Sequence, residues 1–549
     1  MHNRGRHLCF FYILLFILAG CGGGGGGSDG PATNPPASIG TPINDAPDLK
    51  EPGVPSNPDE STVQSFTSRT VNTNMDGPIT GLKATSDGGM VAIAEVSTGT
   101  NSSLVRFSKF AANGSKIASI DLDPSPGING INRPKVLIEE SAQVFHVLGT
   151  TNHVDEGDRI GQLFLATIET DPTPSYSVVL FDGLFKECTI NTARRAENGD
   201  LLISGNDFNM PGYANMLFAR TSTDGGVKWE HTFGDKGFPD SGVDILELSN
   251  SNIAFLGTTR SEGNSLNDAD IFLHQVTADG EDTLSLWADS PRIFGKRGAN
   301  LNEIALGLEE TNDGFFIVGA TNSFGDNYDI IIIQTDTNGM NPVEELLGPE
   351  SSHAFPTSLL KISGSEFLIA GAAQVPNKGF DAYLTFVDLE TPANDWVRYY
   401  GGSRAELAVS VIKQDNGFLL SGFANGVLEF TNPSNYSLEE ATAWLVDVNA
   451  NGAVRPISIA IDNTEMQAGP PLILNLAAFF YDISGSSLTY VASSSPPLQS
   501  LQISGSTLTL TEAPDVIGPT DYSITLTATN EASLSTSQTF TLTVIPAGD

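Results

Sequence analysis

The sequence predicts an all-β chain: a seven-bladed β-propeller, then a small β-sandwich, both behind a disordered N-terminal tether. Three observations predict it. A unit of about 50 residues recurs over residues 62–460. Each unit spells four short strands parted by Gly-bearing turns. The last stretch, 461–549, abandons the repeat for alternating Ser/Thr-rich strands.

The clearest unit runs Thr311–Ala320 and then Asp329–Gly339: a turn, an apolar strand, a loop, a second strand, a second turn. Comparable first turns begin at Ser86, Glu197, Ser363 and Gln414, with divergent copies near Ser141 and Ser251. At the turns, Gly314 and Gly417 are expected to need positive φ, which glycine reaches without a Cβ clash. The second turn recurs as Asn113-Gly114, Asp224-Gly225, Asp279-Gly280, Asn338-Gly339 and Asn451-Gly452, strong hairpin signals between apolar runs. An aromatic-Gly pair follows: Phe233-Gly234, Phe294-Gly295, Tyr400-Gly401, weakened to Leu347-Gly348 in the fifth unit. A strand such as Val243–Leu248 or Leu407–Ile412 then completes the unit. Four strands per unit and seven units fit propeller blades, and a closed ring leaves no sheet edge open. The pattern Asp-Gly-Gly, strand, Asp-strand-Asp-x-x-Gly, then Trp and Tyr-Gly-Gly resembles the propeller repeats of secreted bacterial and archaeal proteins. That resemblance speaks for fold and is nearly silent on activity.

The N-terminus reads as an export signal. Arg4 and Arg6 precede the apolar run Leu8–Leu18, which is shorter than the roughly 20 residues a spanning helix needs. Leu18-Ala19-Gly20-Cys21 resembles the bacterial lipobox, which implies cleavage before Cys21 (residues 1–21 as signal) and a diacylglycerol on its thiol. Membrane attachment through this anchor follows. Gly22 after the cysteine, where Asp would mark retention, implies an outer-membrane lipoprotein. Residues 22–61, with Gly22–Gly27 and eight prolines, hold too few apolar side chains to order; about 40 such residues reach roughly 35 Å. Of three cysteines, only Cys188 would remain a thiol, so no intramolecular disulfide is expected, and Cys188 reads as a small core residue.

Ser222-Thr-Asp224-Gly-Gly226-Val-Lys-Trp229 resembles the Asp-box of sialidase propellers, whose role is structural: the Asp caps a turn and the Trp packs between blades. The arginine cluster of a sialidase has no counterpart. In the C-terminal part, Asp482 before Leu488-Thr-Tyr490, Gly505-Ser-Thr-Leu508, and Ala528-Thr-Asn530 to Thr543-Val544 resemble dystroglycan-type cadherin-like or Ig-like domains. Ile483, Ser484 and Asn530 depart from the acidic pattern that would imply calcium there.

Calcium is the one cofactor the sequence raises. Asp336 and Asn338, and Asp447, Asn449 and Asn451, have the spacing of half a calcium loop. Ser458 stands where a bidentate Glu would be, and a hairpin turn wants the same residues. Asp268 and Asp270 read as solvated loop charges. No catalytic residue is assigned: the five histidines of the exported chain lack HExxH spacing, and no GxSxG elbow or phosphate loop is present. With 65 acidic against 27 basic residues and a net charge of −38, nucleic acid is a poor partner. These observations point to an envelope or surface module that binds a protein or polysaccharide. The alternatives are a carbohydrate-active enzyme (a glycosidase or lyase) with loop-borne carboxylates, and an envelope assembly scaffold. The scaffold reading comes from resemblance to the propeller lipoprotein of the outer-membrane barrel-assembly machinery.

Overall fold

The computed structural model describes residues 63–546, apart from 66–68, 72–78, 125–129, 182–187, 209–213, 261–267, 283–286, 288–290, 297–300, 349–351, 402–404, 429–435, 438–441, 483–486 and a few shorter gaps. The signal, Cys21 and the tether lie outside the described residues.

The chain is all-β, built of small antiparallel sheets in a propeller-like array. Sheet 1 holds Ile79–Ala84, Met90–Gly99, Ser102–Phe110 and Lys116–Leu122. Sheet 2 holds Gly130–Ser141, Val144–Asp155, Asp158–Glu169 and Ser175–Leu180. Sheet 3 holds Cys188–Arg195, Leu201–Asp207, Asn215–Thr221 and Val227–Phe233. Sheet 4 holds Ser241–Glu247, Ile253–Thr259, Asp270–Val276 and Arg292–Phe294. Sheet 5 holds Glu303–Glu310, Gly314–Thr321, Asp329–Asp336 and Val343–Leu347. Sheet 6 holds Ala354–Lys361, Glu366–Val375, Gly379–Asp388 and Trp396–Gly401, with Val63–Ser65 added in parallel. Sheet 7 holds Ala405–Gln414, Gly417–Leu428 and Thr442–Asn449, and the early strand Arg69–Val71 supplies its outer member.

The sheets begin one strand earlier than the repeat suggests. Val243–Leu248 and Leu407–Ile412, expected to end a unit, fall in the strands that open sheets 4 and 7. The aromatic-Gly pair closes sheets 3, 4 and 6 instead, with Leu347-Gly348 in its place in sheet 5. Tight turns join first to second strands within a sheet, whereas loops lead from one sheet to the next.

Each sheet packs on both faces. The second and third strands of sheets 3 and 4 are buried end to end, so they lose the alternation of a half-exposed strand. Apolar clusters join sheet 1 to 2, 2 to 3, and so on to 6 and 7. A further cluster joins Leu419, Phe423 and Leu445 of sheet 7 to Leu82, Met90 and Phe110 of sheet 1. Burying one Phe or Leu in such a seam contributes about 1.5–3 kcal/mol.

Every first strand carries a bulge at the same place: Ile79/Gly81, Pro134/Val136, Ile190/Thr192, Gly242/Asp244, Ala305/Gly307, Pro356/Ser358 and Ala408/Ser410. A bulge re-aims the extra side chain. Two of them then hold the next sheet: Asn191 Nδ2 donates to the Gly242 carbonyl at 2.8 Å, and Thr357 Oγ1 to that of Ala408 at 2.6 Å. Carboxylates near the ends of first strands also reach back to the preceding sheet's turn. Glu139 accepts the Ser86 N–H at 3.0 Å, Glu247 that of Glu197 at 2.6 Å, and Glu310 that of Ser249 at 2.8 Å.

Gly314 and Gly417 take the expected positive φ, 159° and 151°, and close backbone approach adds a second constraint. A Cβ would stand 2.1 Å from the Thr335 carbonyl oxygen at Gly314 and 2.0 Å from that of Val448 at Gly417. Second-turn glycines such as Gly280 (78°) and Gly339 (65°) are positive in φ as well.

Beside the short pair Ile457–Ser458 and Phe480–Tyr481, the C-terminal strands form two larger sheets around one apolar core. Thr464–Gln467, Ser535–Ile545, Thr520–Thr529 and Thr489–Ser495 make one; Leu472–Asn475, Thr507–Thr511 and Ser500–Ser504 make the other. Strict alternation turns Tyr522, Ile524, Leu526 and Ala528 inward and leaves hydroxyls outside.

Candidate functional site

Alternating strand direction gives the array two ends. At one, turns closed by backbone bonds follow first and third strands, as at Thr85–Gly89, Thr277–Glu281 and Asn449–Ala453. At the other lie the connections between successive sheets and those from second to third strands, which are long in sheets 3, 4, 5 and 7. Side-chain variety can accumulate only at the loop end.

The Asp-box and the calcium-loop candidates of the repeat gather at the turn end and serve its turns. Ser222 donates its N–H to the Gly226 carbonyl at 2.7 Å. Asp224 accepts from the Ser222 hydroxyl and from Gly226 N–H at 3.3 Å; these bonds hold its carboxyl below the usual range. Trp229 Nε1 donates to the Ala278 carbonyl of sheet 4 at 3.0 Å. Asp336 accepts the N–H groups of Asn338 and Met340 at 2.8 and 2.9 Å, and Asn449 those of Asn451 and Ala453, both at 2.9 Å. Asp447 sits within a strand of sheet 7, apart from Asp336 of sheet 5. In the C-terminal unit, Asn530 Nδ2 bonds Asp482 Oδ2 at 2.7 Å and the Val454 carbonyl at 3.1 Å. Among the described residues no group of three or more His, Cys, Asp or Glu is placed to hold a metal. Cys188 is buried, and burial with the nearby Asp207 and Glu230 pushes its thiol up to about 12.

The loop end corrects one expectation. Asp268 and Asp270, read as solvated charges, are each 3% exposed. The cause is the aromatic-Gly pair, which leaves room for a polar side chain at the start of the third strand. A Cβ on Gly295 would lie 1.8 Å from Asp270 Oδ1, and on Gly401 1.9 Å from Asp381 Oδ1. Asn215 and Gly234 repeat the relation at 2.5 Å. In the fifth unit, where Leu347 replaces the aromatic residue, Asp329 is half-buried and 3.7 Å from that point; burial raises its carboxyl to about 6.

Next to it lies a corner that sequence reasoning missed. Tyr328 precedes the third strand of sheet 5; His353 and Phe355 flank the start of sheet 6. The Tyr328 ring centroid is 5.4 Å from Phe355 and 6.4 Å from His353, and His353 stacks on Phe355 at 5.9 Å and 14°. The Tyr328 N–H donates to His353 Nδ1 at 3.1 Å, and its carbonyl accepts from Ala354 N–H at 2.7 Å. A backbone N–H can only donate, so the neutral imidazole keeps its proton on Nε2. Burial lowers the His353 pKa and raises that of the Tyr328 phenol. Both groups therefore stay neutral near pH 7 and can donate. All three rings are half-buried, so they retain a solvent face.

Toward sheet 4, Arg260 stands near Asp240 and Tyr328, and Glu303 near Asp268. Asp240 Oδ1 accepts from Thr259 Oγ1 and Arg260 N–H, each at 2.8 Å. Glu303 accepts from Thr321 Oγ1 at 2.9 Å, and burial raises its pKa. The only sequence signal for this corner was the weakened aromatic-Gly pair of the same unit.

No protein-family model and no curated protein matches the chain. Among solved structures, it is similar to an ulvan lyase of polysaccharide lyase family 25, with TM-score 0.41 and 11% identity over 72% of this chain and 96% of that one. It is also similar to the GH93 alpha-L-arabinofuranosidase of Fusarium graminearum, with TM-score 0.33 and 9% identity over 70% and 98%. A third likeness is to prolyl oligopeptidase B from Galerina marginata, with TM-score 0.37 and 11% identity over 85% and 56%. Nothing about activity transfers at these values. No helix among the described residues is long and apolar enough to cross a membrane.

Proposed function

We propose that the chain is a lipid-anchored envelope protein whose seven sheets close as a seven-bladed propeller and whose loop end binds a glycan. Closure is supported by the cluster between sheets 7 and 1 and by Arg69–Val71, which completes the last sheet with an early strand. The anchor rests on the lipobox at Cys21, and Gly22 favours the outer membrane.

The observation that carries the binding reading is the Tyr328–His353–Phe355 corner. Aromatic faces suit the C–H face of a sugar, while a neutral phenol and an Nε2–H donor suit its hydroxyls. A phenol raised by burial stays protonated, which makes Tyr328 a donor and a poor general base. The enzyme alternative has one observation in its favour: Glu303, raised in pKa, stands near the like-charged Asp268.

One screen tests both readings. Full-length protein in detergent is presented with a polysaccharide panel and with aryl-glycosides. Binding that Phe355→Ala and Tyr328→Ala each weaken, without turnover, supports the module. Turnover abolished by Glu303→Gln sinks it and promotes the enzyme.

A further inference from the structure

The array is polar, and both ends of the chain relate to the same side of it. Val63–Ser65 pairs in parallel with Trp396–Gly401, in the register Val63 to Tyr399 and Ser65 to Gly401. The partner is the fourth strand of sheet 6. Its predecessor Gly379–Asp388 runs toward the turn end, so Trp396–Gly401 runs from the turn end to the loop end. A parallel neighbour has the same direction, and the chain arrives at Val63 from the turn-end side.

The C-terminal unit leaves from the same side. Val454 bridges Val448 directly after the Asn449–Ala453 hairpin, which is a turn-end hairpin of sheet 7. Asn530, in the hairpin between Thr520–Thr529 and Ser535–Ile545, donates to the Val454 carbonyl at 3.1 Å. It also accepts Leu534 N–H at 3.0 Å and donates to Asp482, so its orientation is fixed from both sides. The C-terminal unit is thereby pinned beside the turn end. Among the described residues, the C-terminal unit meets the turn end, and Val63–Ser65 runs away from that end, with Ser65 beside Gly401 at the loop end.

With a lipid at Cys21 this arrangement has a direction. Resting on the anchor reading of the previous section, we infer that the protein stands turn end toward the membrane, with the C-terminal unit on the membrane side and the loop end facing away. The loop end then meets a partner that lies beyond the anchoring leaflet, an extended polymer and not a lipid of the same membrane.

The experiment uses full-length, lipidated protein in liposomes that contain a nitroxide-headgroup lipid. Gly325→Cys labels an exposed loop-end position of sheet 5, and Ala450→Cys an exposed turn-end position of sheet 7. Cys188 is buried and stays unlabelled under native conditions. The fluorophore at 450 should be quenched severalfold more than the one at 325. Equal quenching, as free tumbling on the tether would give, or stronger quenching at 325, overturns the orientation. A third variant, Glu531→Cys, marks the Asn530 hairpin and should follow 450; if it follows 325, the membrane-side placement of the C-terminal unit is wrong. Protein that does not float with liposomes at all refutes the Cys21 anchor instead, so the two failures are told apart.

Discussion

Gly280 lies flat against the indole of Trp229: a Cβ at that glycine would stand 2.7 Å from Trp229 Cγ. The relation recurs along the chain. Gly339 meets Trp287 at 2.5 Å and Gly452 meets Trp396 at 2.6 Å, each turn glycine seated on a tryptophan of the preceding sheet. Arg292 and Arg398 cover the same two indoles, 4.7 and 5.4 Å from the ring centroids.

Gly280→Ala should therefore destabilise by more than the roughly 1 kcal/mol of a glycine propensity change, since both the positive φ and the indole oppose it. Trp229→Ala should cost about 2–4 kcal/mol, toward the low side of a buried-aromatic deletion, because the ring is half-buried. Denaturant unfolding checks both. Gly280→Ala with an unchanged midpoint would show that the turn can move away.

Gly314→Val tests the close approach of strands. Its Cβ would meet the backbone of Thr335 and Asp336, which no rotamer change can relieve. A loss above about 3 kcal/mol, or failure to fold, is expected. A thermal melt within a degree of the parent would refute the assignment.

These positions mark how far the sequence could be read. The hairpin dipeptides and apolar runs named the strands, because turn chemistry and side-chain period act locally. The Asp-box likewise located its turn. The burial of Asp270 under Gly295, the seven aligned bulges and the Tyr328–His353 contact were not legible, because each depends on which sheets become neighbours. The Asp268 and Asp270 expectation went wrong for the same reason: an aspartate at the end of a polar loop reads as solvated until a glycine next to another strand makes room for it.

Acidity should loosen the seam between sheets 3 and 4. His231 donates Nε2–H to the Gly280 carbonyl at 2.7 Å, and burial lowers its pKa below 6.5. The unfolded chain then binds the proton first. Stability is full above about pH 6.5 and falls as pH drops toward the folded value. The neighbouring Glu230 acts with the opposite sign: burial and Asp207 raise it to about 7, so its contribution is present below the unfolded pKa near 4.5 and is lost as pH rises through 7. His231→Gln should flatten the acid limb and Glu230→Gln the neutral one in urea titrations between pH 5 and 8. Unchanged limbs in both variants would contradict the assignment.

Cys21→Ser should abolish incorporation of labelled lipid and leave the protein soluble after membrane sedimentation. Full retention in the membrane fraction would refute the lipoprotein reading.

Arg194 offers the sharpest test of the interior of the array, because one guanidinium binds three sheets. Rooted in the first strand of sheet 3, it reaches Asp244 of sheet 4 with Nη2 at 2.6 Å and Nε at 3.0 Å. Nη1 reaches Glu309 of sheet 5 at 2.8 Å, and Nη2 also donates to the Leu308 carbonyl at 2.9 Å. Asp244 is 5% exposed. Removing the cation strands a buried carboxylate, so Arg194→Met should cost about 3–5 kcal/mol near neutral pH. Arg194→Lys should recover only part of that, since an ammonium cannot reproduce the two-pronged bond to Asp244 while reaching Glu309. Adding Asp244→Asn to Arg194→Met should restore stability relative to the single variant, because the uncompensated charge is gone. If the double variant is less stable by the sum of its parts, Arg194 and Asp244 do not act as a pair and the three-sheet tie is not what holds this interior together.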